Sequence, residues 1–168
     1  MKPLLYVDGY NVIGAWREAT EGAWPLDECR DRLTRLLEDY AGYTGQEVWL
    51  VFDGHKADRP LRSIETKPCL TLVYTKHGET ADQYIERMCQ MLPRYREARV
   101  ATSDGLEQTL ILGRGATRLS ARELWRELRE ERSRGRNHHQ ASRHGMGAIS
   151  ASLTDAQREQ LERLRRQK

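Results

Sequence analysis

Three apolar runs in this 168-residue chain end on an aspartate: LLYVD at Asp8, VWLVFD at Asp53 and ARVATSD at Asp104. A fourth run, CLTLVY, is followed by Glu79 and Asp82. A carboxylate that repeatedly follows a buried strand is a candidate for chemistry, because the carboxyl ends of parallel strands open onto one shared crevice. If these acids converge, they need a counter-charge. Two unit charges 4 Å apart repel by about 4 kcal/mol at an effective dielectric of 20. No lysine or arginine pattern accompanies them, and oxygen-only ligands suit hard divalent cations such as Mg2+ or Mn2+. An acidic metal pocket commonly engages a phosphate, which points to phosphodiester hydrolysis. Around Asp8, Gly9 and Gly14 would permit tight turns and close backbone approach, and Asn11 can orient a water or a phosphate. Helix capping is the competing role for Ser103, Asp104 and Thr80.

The elements that must position these residues alternate in type. Leu4–Val7 is a short run expected as a strand buried on both faces, followed by a loop. Apolar residues from Leu26 to Tyr40 recur at spacings of three and four, with Pro25 at the start and Gly45 at the end, which predicts a helix. EVWLVFD and CLTLVY are expected strands, separated by a polar loop through Lys56–Thr66. ETADQYIERMCQMLP reads as a helix that buries Ile85, Met88, Cys89 and Leu92 and stops at Pro93. ARVATSD supplies a fourth strand. Ser120 and Glu123 form a capping box for a helix that buries Leu124, Trp125 and Leu128 and runs to about Arg134. This alternation predicts a three-layer α/β/α domain over residues 1–134 with a mainly parallel sheet. Residues 135–168 are expected to form a basic linker, rich in Gly, His and Arg, and a short charged helix opened by Thr154 and Gln157.

Charge is sorted along the chain. Residues 1–113 carry 14 Lys/Arg against 18 Asp/Glu, whereas residues 114–168 carry 14 against 7. A basic C-terminal third beside an acidic body suggests an anionic partner. Arg114, Arg118, Arg122, Arg126 and Arg129 recur every three or four residues. They form either a stripe that tracks phosphates or a solvated face paired with Glu123, Glu127 and Glu130. Tyr10, Trp16 and Trp24 lie where an aromatic ring could stack on a base, while Tyr6 is expected in the core. Three cysteines without a CxxC indicate neither a disulfide framework nor a zinc ribbon. His55 and His77 are read as incidental loop residues, and His138, His139 and His144 lack the partners of a four-ligand site. No apolar run reaches the roughly 20 residues that span a bilayer, and no targeting segment is evident, so a cytoplasmic protein with no membrane partner is expected.

Taken in order, YVDGYNVIGAW, VFDGH, ETAD, ATSD and SAREL resemble the YacP-like NYN-domain proteins, a branch of the PIN-like ribonucleases. The resemblance covers about Leu4 to Arg134. It implies a PIN-like fold and an endoribonuclease dependent on Mg2+ or Mn2+. For at least some members it also implies association with the ribosome and cleavage of mRNA. Carried over by motif, the metal-site acids are Asp8, Asp82 and Asp104, with Asp53 and Glu79 as further ligands or supports and Asn11 and Ser103 as polar supports. The rival reading is a PIN-like module that binds RNA or ribosome without cutting. A haloacid-dehalogenase phosphatase would need D-x-D, and position 10 is Tyr10. A receiver domain would need an acidic pair near the first strand, and a dinucleotide-binding fold would need its glycines in the first βα turn.

Overall fold

The computed structural model describes residues 2–19, 21–54, 61–93, 95–102 and 116–134. The chain divides into two compact units, Met1–Glu131 and Arg132–Lys168. In the first unit the strands are β1 (Leu4–Asp8), β2 (Glu47–Phe52), β3 (Ser63–Thr66), β4 (Leu70–Tyr74), β5 (Ala98–Ala101) and β6 (Ala116–Leu119). The described helices are α1 (Gly9–Ala19), α2 (Leu26–Thr44), α3 (Ala81–Met91) and α4, residues 121–134, of which residues 121–131 fall in the first unit. The strands form one sheet in the order β3-β4-β2-β1-β5-β6, and every pair is parallel except β3 with β4.

The sheet alternates its side chains between two cores, as a period of two requires. Leu5 and Val7 of β1 join Val48, Leu50 and Phe52 of β2 against α1, α2 and α4. Leu4 and Tyr6 join Val51, Val73 and Val100 against Ala81, Tyr84, Ile85 and Cys89 of α3. The chain moves from β1 out to β2 and β4, then returns through α3 to β5 on the far side of β1. Right-handed crossovers in opposite directions place their helices on opposite faces, which gives three layers.

The helix expected from Leu26 is α2. It starts after Pro25 and ends at Gly45, whose φ of 68° lets its N–H bond to Ala41 O at 3.0 Å. Ser120 and Glu123 make both bonds of the expected capping box, at 2.8 and 3.2 Å. Leu124, Trp125 and Leu128 are buried. No described helix is long and apolar enough to cross a membrane.

Three local expectations change. The loop expected after Val7 is instead helix α1, which starts directly after Asp8. Val12 and Ile13 are fully buried and Trp16 packs beside them, so tertiary burial outweighs the low helix propensity of the glycines and Asn11. The polar loop before β4 contains β3, an exposed edge strand without apolar alternation. β6 was hidden in a four-residue ATRL segment that gains its pairing from β5. The expected linker and final helix lie outside the described residues.

Gly9 is needed for space. A Cβ there would stand 2.2 Å from Phe52 Cε1, because α1 starts against the ring that closes β2. Gly9→Ala is therefore expected to destabilise the fold by about 1–3 kcal/mol through overpacking. The loss should shrink in a Phe52→Leu background, because the two sites are coupled through contact. Urea denaturation of the single and double variants measures this coupling, and equal losses in both backgrounds would clear Phe52 of the clash.

Candidate active site

The direction of chain progress across the sheet reverses between β1 and β5, and the crevice of a doubly wound sheet lies outside the carboxyl ends at that point. Asp8 ends β1 there and is buried. Its Oδ1 accepts the backbone N–H of Asn11 at 3.1 Å, so the carboxylate also caps α1. By strand alternation Asp8 shares the α3 side of the sheet with Leu4 and Tyr6. Asp53 follows β2 and is half-buried, and Asp82 lies in the first turn of α3 on that same side.

The loop after β4 is tied to the end of β2 by Thr75, which the sequence did not single out. Its N–H bonds to Phe52 O at 3.0 Å. Its buried hydroxyl accepts from Gly54 N at 3.1 Å and donates to Glu79 O at 2.6 Å. This fixes the residues after Asp53 relative to those before Asp82. Thr80, one of the candidate caps, does cap α3, in a reciprocal box with Gln83 at 3.2 Å each way. Asp82 is thereby spared capping, and its Oδ1 is buried without a hydrogen-bond partner.

Glu79 departs from the expected environment. The sequence places it among acids that no arginine pattern accompanies, yet Arg62 Nη2 lies 2.6 Å from Oε2 and Arg87 Nη1 lies 2.6 Å from Oε1. Both guanidinium groups also flank the Tyr84 ring, at 5.4 and 5.3 Å from its centroid. An arginine 17 residues earlier and one on the following helix thus neutralise this carboxylate, and no motif around Glu79 announces the pairing. Glu79 is a clamp between the residues before β3 and α3, and its oxygens are already engaged. Burial pushes the Glu79 carboxyl up, but the hydrogen bonds and charges of Arg62 and Arg87 outweigh it and hold it below the usual range.

Ser103, Asp104 and Arg114 lie outside the described residues. Among those described, no three His, Cys, Asp or Glu side chains are grouped closely enough to hold a metal ion. Trp16 packs, with its ring tilted, between Trp24 and Trp125 at 4.8 and 4.9 Å, and Arg32 covers Trp24 at 4.0 Å, so these tryptophans hold α1, α4 and the start of α2 together. Beside α1 runs a groove of about 430 Å3 lined by Tyr10, Asn11, Gly14, Arg118, Ser120 and Arg122. Gly14 forms no tight turn: it is an exposed interior residue of α1. Arg126 is exposed on α4. Glu127 pairs with Arg99 at 2.6 Å and with the Tyr40 hydroxyl at 3.0 Å, which takes it out of the arginine stripe. Glu123 feels the charges of Arg126 and Arg118.

Glu79→Gln should remove both ion pairs while keeping the shape, at a cost of about 1–3 kcal/mol at neutral pH. Because the folded-state carboxyl titrates below its unfolded value, this stabilisation is complete above about pH 4.3 and is lost as pH falls through the folded pKa. The gap in melting temperature between wild type and Glu79→Gln should therefore be constant from pH 5 to 7 and close in more acidic buffer. A gap that persists there would show that the charge is not what the clamp uses.

The model of the YacP-like NYN domain matches residues 5–166. The YacP protein of Bacillus subtilis (strain 168) is 43% identical over 127 residues, covering 74% of this chain and 74% of that protein. The crystal structure of Rae1 (YacP) from Bacillus subtilis superposes with a TM-score of 0.67 at 35% identity, covering 99% of this chain and 95% of that one. A single-substitution variant of Rae1 gives a TM-score of 0.68 at 36% identity over 90% and 86% of the two chains. With its mainly parallel sheet, Asp8 at the carboxyl end of β1 and these similarities, the chain belongs to the YacP-like NYN-domain family of PIN-like nucleases.

Proposed function

We propose that this protein is a divalent-metal-dependent endoribonuclease whose reacting centre lies at the carboxyl edge of β1, with Asp8, Asp82 and Asp104 as its metal-site acids. The observation that carries the reading is Asp82 Oδ1, buried without a hydrogen-bond partner while Thr80 does the capping next to it. A carboxylate oxygen withdrawn from water and given no donor is costly unless a cation serves it. Asp8, buried at the end of the neighbouring strand, adds charge of the same sign. The donors are all oxygens, which fits Mg2+ or Mn2+. Such an ion, when bound, supplies the positive charge that draws in and polarises a phosphodiester.

The chain's own residues have distinct tasks in this reading. The Asn11 N–H fixes the orientation of Asp8, and Ser103, next to Asp104 in the sequence, is a further polar support. Asp53, half-buried after β2, is a further ligand or support. Glu79 acts as a positioning residue through Arg62 and Arg87, and not as a ligand. Arg114, Arg118, Arg122 and Arg126 supply the cationic surface that an RNA strand needs next to acids that would otherwise repel it. That the RNA is mRNA on or near the ribosome rests on the family resemblance.

Asp8→Asn and Asp82→Asn each remove charge without opening a cavity, and asparagine caps a helix as well as aspartate does. Each is expected to lower cleavage of single-stranded RNA by at least about 100-fold. Neither should lower the melting temperature in EDTA. Mn2+ should raise the wild-type melting temperature by mass action and raise that of Asp82→Asn less. Cleavage that persists in EDTA would remove the metal from the mechanism. Wild-type protein that binds RNA with Mn2+ or with ribosomes, yet never cuts it, would establish the non-cleaving module instead.

A further inference from the structure

Gly14 is the residue in α1 that neither backbone nor packing accounts for. It lies in the helix interior, is not among the described glycines with positive φ, and a Cβ built on it meets nothing within 4 Å. Glycine in such a place is destabilising relative to alanine. What its missing side chain does is keep the groove open, since Gly14 lines it.

The walls of that groove favour an anion with an aromatic or sugar attached. Arg118, half-buried on β6, lines it. Arg122 is exposed in the first turn of α4, where the helix dipole opposes a cation and favours an anion. Glu123, which closes the cap with Ser120, offsets part of this charge through Arg118 and Arg126. On the other wall the Tyr10 ring is held against Phe52 at 5.0 Å, and its hydroxyl accepts from Arg30 Nη1 at 3.0 Å. Asn11, whose backbone bonds Asp8, joins this groove to the acidic crevice.

We propose that the groove is a nucleotide subsite: one nucleotide of a single-stranded RNA, next to the scissile phosphate, lies over Gly14 with a phosphate on Arg118 and Arg122. This inference rests on the nuclease reading for the strand's direction of entry, but binding tests it separately from cleavage. The full-length protein is titrated in EDTA with a fluorescently labelled single-stranded RNA, so that no cutting occurs. Gly14→Leu should melt at or above the wild-type temperature yet bind roughly tenfold more weakly. With metal present it should raise KM and leave kcat near the wild-type value. Arg122→Gln should reduce the slope of log K against log salt by roughly 0.7, and Arg122→Lys should restore it. Wild-type affinity in Gly14→Leu, or an unchanged slope in Arg122→Gln, overturns the subsite. If Gly14→Leu does not fold, Gly14→Ala and the Arg122 slopes decide the matter. Loss of cleavage in Asp8→Asn together with unaltered binding by Gly14→Leu would defeat the subsite alone. RNA binding without any cleavage by wild type would defeat the nuclease reading alone.

Discussion

Everything at the candidate site depends on how β1 passes into α1 without an intervening loop. Asp8 is at once the last residue of the central strand and the acceptor for the third N–H of the helix, at 3.1 Å. The helix can begin that close to the sheet only because Gly9 presents no side chain to the Phe52 ring. Phe52 in turn packs against Tyr10 and Tyr74, with centroids 5.0 and 5.6 Å away. One backbone junction thereby holds a buried carboxylate at the switch point and also sets the position of Asn11, Tyr10 and Gly14 along the groove.

Glu79 and Asp82 show how neighbouring acids come to differ. Only three residues apart, they lie in nearly the same part of the fold, yet one meets two guanidinium groups and the other meets no hydrogen-bond donor at its buried oxygen. Burial penalises both charges, and only in the first is that penalty offset within the described chain. The clamp on Glu79 and the Thr75 hydroxyl tie the loop to β2, β3 and α3, and Asp82 stands in the first turn of that helix. A site that must hold its geometry in the presence of repelling carboxylates needs such support from residues that are not themselves ligands.

The arginines divide in the same way. Arg62, Arg87 and Arg99 are engaged by Glu79 and Glu127, so much of the chain's positive charge goes into joining elements. Arg118 and Arg122 instead line open space beside α1. A count of arginines cannot separate these classes, because their difference is the presence of a carboxylate across a tertiary contact.

From the sequence alone, the mainly parallel α/β architecture, the caps at Gly45 and Ser120, and the placement of Asp8 and Asp53 at strand ends were legible. Strand alternation, helical spacing and capping boxes are local consequences of residue order. The same local rules misled at α1, where Gly9, Asn11 and Gly14 look like a loop until Val12 and Ile13 find a core to enter, and at β3 and β6, whose four residues carry too little apolar pattern to declare a strand. Only the tertiary structure decided which acids are already neutralised. Arg62 lies 17 residues from Glu79 and Arg87 lies on the following helix, and nothing in a linear pattern records that folding brings both within 2.6 Å of its oxygens. A charge's role depends on what faces it across the fold, because burial makes every unpaired group costly and only three-dimensional proximity can supply the partner.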